Sequence, residues 1–361
     1  MKSFKKDLLK KSLFRALSIL DKKTIRPVLK CIHLSPYDGM IELFATDLEI
    51  CLKQVIQCNT SLEKNFCIEL KEFYELLHEI PEEEIKFSLK DKSLEITGKK
   101  LKYTLPLFDE TEYPIIDLEP ENSFYLNKKI LLEGIQKTSY AMSSDEKKVY
   151  LNGLFFDFSE KKFKIIGLDG YRLGLFSSEE KVSTQETFIL RKKSIIELKK
   201  LLEEFEEESF ECFFKNQMFC VKFSKEIIFS ARVLSRTFPQ YQDIIPLDKN
   251  FSFEVDKDTL VAALKRLLIV ANKNTQDVFC TFSDETLILA TEEVNSSTGI
   301  EELNVKIEGS TKKLRFNIKY LLESLQPFTS TTIRFSPSDG PVLINVLNTP
   351  EYLGVIMPLD A

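Results

Sequence analysis

One order of features runs through this chain three times, and nothing else in it restricts the fold so strongly. Residues 5–51 read as an amphipathic helix, a turn and a β-hairpin ending in Ala45-Thr46-Asp47. Residues 128–176 repeat that order and end in Gly167-Leu168-Asp169, and residues 257–292 repeat it again and end in Ala290-Thr291-Glu292. The closing acids stand 122 (169 − 47) and 123 (292 − 169) residues apart in a chain of 361, one third of its length. Solenoid repeats run to about 20–50 residues. A period this long therefore means three copies of a whole domain, and duplicated domains commonly build symmetric objects.

The copies agree in hydrophobic period. Leu9, Leu13, Ala16, Leu17 and Leu20 form one helical stripe, with Lys11 and Arg15 on the opposite face. Ile130, Leu131, Gly134, Thr138, Ala141 and Met142 form the second stripe, opposed by Lys129, Gln136, Ser143 and Lys147. Leu260, Ala263, Leu264, Leu267 and Leu268 form the third, opposed by Lys265 and Arg266. A second half follows in each copy: NFCIELKEFYELLHEI, TFILRKKSIIELKKLLEEF and LRFNIKYLLESLQPF each read as a strand entering a helix. Hairpins follow, and Asp339-Gly340 is a turn signal in the last. The copies are separated by acidic, Pro-bearing stretches built around Tyr113-Pro114-Ile115-Ile116 and Phe238-Pro239 with Ile244-Ile245. Proline stops helix and ladder alike, so these read as connectors. The expected fold is α+β, with two helices packed on antiparallel sheets in each of three domains, 1–122, 123–247 and 248–361.

Composition removes several function classes. The chain is 43% hydrophobic and 29% charged, with no apolar run near the ~18 residues of a membrane helix. The basic, amphipathic N-terminus lacks the apolar stretch and cleavage site of a secretory signal. Seven cysteines at 31, 51, 58, 67, 212, 220 and 280 form no C-x-x-C pair, and so read as reduced core thiols of a cytoplasmic protein. Two isolated histidines, His33 and His78, offer neither a zinc site nor a catalytic dyad. No G-x-S-x-G, G-x-x-x-x-G-K-S/T, H-E-x-x-H or G-x-G-x-x-G is present. No catalytic residue, metal or cofactor is expected. Asp47, Asp169 and Glu292 read as turn acids that recur once per copy. The competing reading is a multidomain metabolic enzyme with a cleft near Asp169 and Arg172.

The net charge of −6 argues against a nucleic-acid binder, but the distribution is polarised. Residues 1–30 hold ten Lys/Arg against two Asp, while residues 203–211 hold six Glu and no base. Cations on three equivalent helices suit the phosphates of duplex DNA without reading bases. With no Trp and no aromatic single-strand platform, a duplex held through its backbone fits best. A sequence-specific binder would need base-reading helices, which are not evident.

The segments AMSSDEKKVYLNGLFFDF, GLDGYRLGLF, FPQYQDIIP and VIMPL, in that order and at those distances, resemble the bacterial β sliding clamp family, the processivity subunits of DNA polymerase III. The resemblance runs the whole length. It implies a head-to-tail homodimer closing a six-domain ring around duplex DNA, with helices inside and sheets outside. It implies DNA contact at Lys23, at Lys147, Lys148 and Tyr150, and along the helix faces of Lys11, Arg15, Lys265 and Arg266. It implies a peptide pocket between domains two and three. The pocket, with apolar walls, would comprise Leu151, Gly170, Tyr171, Arg172, Leu173, Pro239, Ile244, Val342, Val355, Ile356, Met357, Pro358 and Leu359. Polymerase α subunit, clamp-loader δ subunit and other proteins bearing a clamp-binding motif would dock there. The family often carries Thr, His and Arg where this chain has Leu168, Tyr171 and Asp243, which implies a more apolar pocket with a more acidic rim. At the dimer seam, Leu101 and Tyr103 would face Ile269 and Val270, with Lys71 pairing Glu301 or Glu302. Closing the ring would remove two exposed sheet edges.

Overall fold

A computed structural model describes residues 4–359 apart from 22–23, 38, 58–63, 146, 235–236, 247–249, 293–296, 311–312 and 348–350. Among the described residues six α-helices follow the repeat: α1 (Lys6–Leu17), α2 (Leu70–Glu79), α3 (Lys128–Thr138), α4 (Lys192–Glu204), α5 (Lys257–Val270) and α6 (Ile318–Leu325). Every helix is entered from a short strand, and three strands follow it. The expected α+β plan of two helices per domain on antiparallel sheets is what the chain adopts. No helix among the described residues is long and apolar enough to cross a membrane.

Each strand that enters a helix pairs with a strand from the other half of its domain. Phe66–Glu69, which leads into α2, pairs with Cys31–Tyr37 from the first half of its domain. Phe4–Lys5, which leads into α1, pairs with Glu84–Lys90 from the second half. The later copies do the same: Phe124–Asn127 with Ser209–Lys215, Thr187–Arg191 with Gly153–Asp157, Phe251–Asp256 with Thr332–Pro337, and Leu314–Asn317 with Asp277–Ser283. The two halves of each domain are thus interlocked by main-chain ladders.

The chain forms two compact units, residues 1–128 with 196–233, and residues 129–195 with 234–361. The middle repeat contributes to both. In the first unit, Ile227–Leu234 pairs antiparallel with Ile50–Gln57, so repeat one continues into strands of repeat two. Its core gathers Val28, Phe44, Tyr113, Phe213, Met218 and four cysteines, Cys31, Cys51, Cys67 and Cys220. In the second unit, Arg172–Lys181 pairs with Tyr352–Ile356 in the same way. The six described cysteines are all buried free thiols, as small hydrophobes in a core are expected to be.

Local chemistry explains the element ends. The stripe residues Leu9, Leu13 and Ala16 are wholly buried, while Leu17 and Leu20 are only partly so. α3 stops at Thr138, sooner than a stripe reaching Met142 implies. There the Thr138 and Ser139 hydroxyls donate to the carbonyls of Gly134 (2.7 Å) and Ile135 (2.5 Å), four residues back, and the chain tightens into a 3-10 turn at Ser139–Ala141. Ser143, expected on the polar helix face, is therefore buried past the helix end. α5 is capped by Asp256, whose carboxylate accepts from the Thr259 amide at 2.8 Å, and α6 by Asn317, which accepts from the Tyr320 amide at 3.1 Å.

A further device recurs in all three copies. The first residue of each opening helix is a lysine whose ammonium turns inward, to a carbonyl at or just beyond the C-terminus of the partner helix. Lys6 donates to Ile80, Lys128 to Phe205 and Lys257 to Phe328, the last at 2.8 Å. A cation there meets the negative end of the helix dipole and satisfies a carbonyl that the helix leaves open. The connectors are also anchored. The Tyr113 hydroxyl donates to the carbonyls of Cys31 (3.2 Å) and Phe44 (3.0 Å), so the first linker is strapped to the core. In the second, Phe238 stacks on Phe155 with ring centroids 4.5 Å apart.

Candidate functional site

The recurring acid is a turn element in two copies. The Asp47 carboxylate accepts from the amides of Glu49 (2.9 Å) and Ile50 (2.7 Å). Asp169 accepts from the amides of Tyr171 (2.9 Å) and Arg172 (3.0 Å), and also from the Arg172 Nε at 3.0 Å. In the third copy Glu292 is exposed, and Thr291 exchanges the turn hydrogen bonds with Gly299 instead. Gly170 holds φ +96, a conformation that favours glycine, and this presents Tyr171 to solvent. Asp169 is thus engaged by its own turn and by Arg172, the role expected of a turn acid.

Around that turn the second unit brings most of the expected peptide-site residues together. Leu151, Leu168, Leu173, Phe238, Tyr241 and Val355 pack in one cluster, with Tyr150 and Ile244 half-buried against it. The Met357 amide donates to the Tyr171 carbonyl (2.8 Å), and Val342 lies in register with Ile356. The Leu359 amide reaches the Arg315 carbonyl at 2.7 Å. Exposure divides the set. Tyr171 is 53% and Met357 37% exposed, Gly170 is open, and Pro239, Ile244, Pro358 and Leu359 are partly so. Leu151, Leu173, Val342, Val355 and Ile356, expected as walls, are all buried: Leu151, Leu173 and Val355 belong to the cluster beneath this surface, while Val342 and Ile356, in register with each other, face the alternate side of the sheet. The segment that carries Pro239 and Ile244 is held by Tyr241, whose hydroxyl donates to the buried Asp157 carboxylate at 2.8 Å. Burial and that carboxylate together push the Tyr241 hydroxyl well up.

Arg172 is buried at the rim of this surface and fully engaged. Its guanidinium reaches Asp169, Glu323 and the Tyr140 carbonyl (2.8 Å), and lies 4.5 Å from the Tyr320 ring centroid and 5.3 Å from that of Tyr140. Tyr171 stacks on Tyr320 with centroids 5.5 Å apart. Tyr320, Glu323 and Tyr140 escaped sequence reasoning. The i, i+3 spacing of Tyr320 and Glu323 on α6 was the available signal, but nothing local says that this helix face meets Arg172. Asp243 is exposed on the 3-10 turn Tyr241–Ile244, and Leu168 is buried.

The cations expected to meet DNA fall into two groups. Lys147, Lys148 and Lys265 are exposed, with no ion pair among the described residues. The loop that carries the first two is shaped by Asp145, which accepts from the Lys147 amide at 3.0 Å. Arg15, Lys11 and Arg266 are instead held by carboxylates of the chain. Arg15 is bidentate to Glu204 (2.9 and 2.6 Å), Lys11 reaches Glu204 at 3.2 Å, and Arg266 is bidentate to Glu301 (2.7 and 2.8 Å). Tyr150 packs against the apolar cluster rather than standing free. Lys23 lies outside the described residues.

Of the residues expected at a dimer seam, Tyr103 is 45% exposed on strand Lys102–Pro106, which among the described residues pairs only with Ser93–Thr97. Leu101 precedes it, half-buried. In the second unit Ile269 is 81% and Ile300 68% exposed, with Val270 partly so. Ile300 begins the strand Ile300–Gly309, whose residues 300–304 pair with Thr286–Ala290. It was missed because a lone Ile among Gly299, Glu301 and Glu302 carries no period. Within one chain Lys71 lies 3.7 Å from Glu75, and Glu301 is occupied by Arg266, so of the two acids expected at a seam Glu302 is the one without an ion pair among the described residues.

Comparison with known proteins agrees with this architecture. Three family models match in order: the N-terminal domain of the DNA polymerase III beta subunit over residues 3–117, its central domain over 125–240 and its C-terminal domain over 242–360. A beta sliding clamp of Rickettsia felis is 26% identical, with 96% of each chain covered, and one of Haemophilus influenzae 24%, with 99% of each. The crystal structure of the Pseudomonas aeruginosa beta subunit covers all of both chains at 22% identity with a TM-score of 0.91. That of a Bartonella birtlesii sliding clamp bound to griselimycin covers 100% of this chain and 99% of its own at 23% identity, with a TM-score of 0.91. With all three of its domains matched end to end, this chain belongs to the family of the bacterial DNA polymerase III beta subunits, the beta sliding clamps.

Proposed function

We propose that this protein is the processivity clamp of its replicative DNA polymerase: a non-catalytic homodimeric ring that encircles duplex DNA, slides without regard to sequence and tethers polymerase, loader and repair proteins. The observation that carries the reading is the threefold recurrence of one interlocked two-helix domain, matched in order by the three domains of the family. Six such domains in a ring would meet phosphate at every azimuth and favour no register. Topology would then hold the DNA, so backbone contacts can stay weak and a net charge of −6 is no obstacle. The domains are assigned as 1–122, 123–247 and 248–361, and the site of action as the cytoplasm.

DNA contact is assigned to Lys11, Arg15, Lys23, Lys147, Lys148, Tyr150, Lys265 and Arg266. The peptide site is assigned to the surface of Gly170, Tyr171, Pro239, Ile244, Met357, Pro358 and Leu359 over its buried floor. Its exposed aromatic and thioether suit the Leu or Phe anchors of a short motif. The seam is assigned to the strand edges at Leu101–Tyr103 and Ile300–Glu302 with Ile269 and Val270, and Lys71 is free to exchange Glu75 for Glu302 of a second copy. The test uses DNA topology. Loaded on nicked circular plasmid, the protein is expected to stay bound and to run off after linearisation. Equal retention on both forms would refute the reading.

A further inference from the structure

We propose that Glu204 acts as an internal counter-anion, withholding Arg15 and Lys11 from the DNA backbone so that this pair on the opening helix of the first domain meets the duplex with about half the charge its sequence implies. The proposal rests on the clamp reading, since it needs DNA to lie along α1.

The geometry is that of an arginine already bound to an anion. Both oxygens of Glu204 are taken by the guanidinium fork, at 2.9 Å to Nε and 2.6 Å to Nη2, and Lys11 Nζ lies 3.2 Å from the same carboxylate. This bidentate fit is the one arginine offers to phosphate. Arg15 is fixed from its other sides as well. Its Nη1 donates to the Gln54 side chain at 3.3 Å, and its guanidinium carbon lies 5.4 Å from the Phe205 ring centroid. Gln54 is itself buried and donates to the Ser12 carbonyl at 2.8 Å. Hydrogen bonding and charge from Arg15, then from Lys11, hold the Glu204 carboxyl below its ordinary range, so it stays an anion at any physiological pH. Two cations and one carboxylate leave one net positive charge where the sequence displays two.

The third copy reaches the same arrangement by a different route. Arg266 of α5 is bidentate to Glu301 at 2.7 and 2.8 Å. Glu204 comes from the end of a helix and Glu301 from a strand, so the pairing is not inherited from one ancestral position. A ring that retains DNA topologically gains nothing from tight phosphate contacts, and each one must break for the ring to advance. A built-in carboxylate lowers the cost of that exchange, because the arginine can trade one anion for another.

The test measures how many cations engage DNA. The full-length protein is titrated into a fluorescein-labelled random duplex of about 30 base pairs, long enough for several phosphate contacts per face, over a salt series, with anisotropy as the readout. Each cation newly placed on phosphate steepens the slope of log K against log salt by about 0.9. Glu204→Gln is expected to steepen it by about 1–2 and to tighten binding several-fold at low salt. Glu203→Gln removes the same formal charge one residue away, where the partner is Lys199 at 3.7 Å, and is expected to leave the slope unchanged. Glu204→Asp, which keeps the charge but shortens its reach, is expected to steepen the slope less than Glu204→Gln and gives the answer should that variant fail to fold. Wild-type slopes for both Glu204 variants, or equal steepening by Glu203→Gln, would overturn the proposal and leave the clamp reading intact. Salt-dependent duplex binding by none of the proteins would overturn the proposal, whereas the clamp reading stands or falls on retention by circular against linearised DNA.

Discussion

Replacing Lys257 with methionine tests whether the recurring lysine locks hold each domain's helix pair together. The stem keeps its length and apolar packing, so the change isolates the ammonium. What is lost is the 2.8 Å bond from Nζ to the Phe328 carbonyl. A hydrogen bond from a charged donor contributes about 1.5–3 kcal/mol, and a cation at a helix C-terminus about 0.3–1 kcal/mol more. The Lys257 side chain is one-fifth exposed, which draws the figure toward the lower end, and the weak pair to Asp258 at 3.9 Å is solvent-screened and adds little. A loss of about 1–3 kcal/mol is therefore expected, felt locally because the bond ties α5 to the end of α6. The assay is native-state amide hydrogen exchange, since a chain of two compact units has no single unfolding equilibrium. Amides of α6 are expected to exchange about 5- to 150-fold faster in Lys257→Met. Lys265→Met on the exposed face is expected to change nothing there. Equal exchange in wild type and Lys257→Met would refute the reasoning, and so would equal acceleration in both variants. Lys6 is more buried than Lys257, so Lys6→Met is expected to loosen α2 more than Lys257→Met loosens α6.

Three other perturbations follow from the same geometry. Met357→Glu, at an exposed position, is expected to weaken a polymerase-tail peptide at least ~10-fold in isothermal titration without shifting Tm, whereas Leu173→Ala, wholly buried, is expected to cost about 2–5 kcal/mol of stability. Ile269→Asp is expected to raise the dimer dissociation constant at least ~10-fold by sedimentation, because an apolar side chain that closure would bury becomes a charge. Asp277 sets an acid limit. Burial opposes its ionised form, but the Thr275 hydroxyl at 2.5 Å and the Arg315 Nε at 2.6 Å outweigh that and hold the carboxyl below its ordinary value. A depressed folded pKa stabilises above the unfolded value near ~3.9 and ceases to as pH falls through the folded one. Asp277→Asn is thus expected to be less stable at neutral pH and to lose less stability than wild type below about pH 4, read by urea midpoints along a pH series.

The fold was legible because its signals are local and repeated. The stripe of Leu9, Leu13 and Ala16, the turn acids Asp47 and Asp169 and the Asp339-Gly340 turn each announce themselves within a few residues. What was not legible depends on partners distant in sequence. Lys6, Lys128 and Lys257 open their helices in the same register, yet as lysines they read as solvated charge. Only the tertiary fold shows that the partner helix ends beside each one, 74, 77 and 71 residues downstream. Leu173 and Val355 read as pocket wall because they stand two residues from Tyr171 and Met357, but those two lie just past the strand ends, whereas Leu173 and Val355 sit within the sheet and pack in a cluster with Phe238, Tyr241 and Leu343.

The same limit applies to charge, where it bears most on function. Counting Lys and Arg on a helix face measures what the chain could offer to DNA, not what it does offer. Lys265 and Arg266 are adjacent in sequence, and no sequence rule separates them. In the fold Lys265 carries no ion pair among the described residues, while Arg266 is bidentate to Glu301. The six acids of residues 203–211, which read as a separate acidic patch, include the carboxylate that neutralises part of the most basic stretch of the chain. A polarised sequence can therefore fold into a moderated surface. For a protein that must hold DNA by enclosure and still move along it, moderation is the property to test, and the salt slope of Glu204→Gln against Glu203→Gln measures it directly.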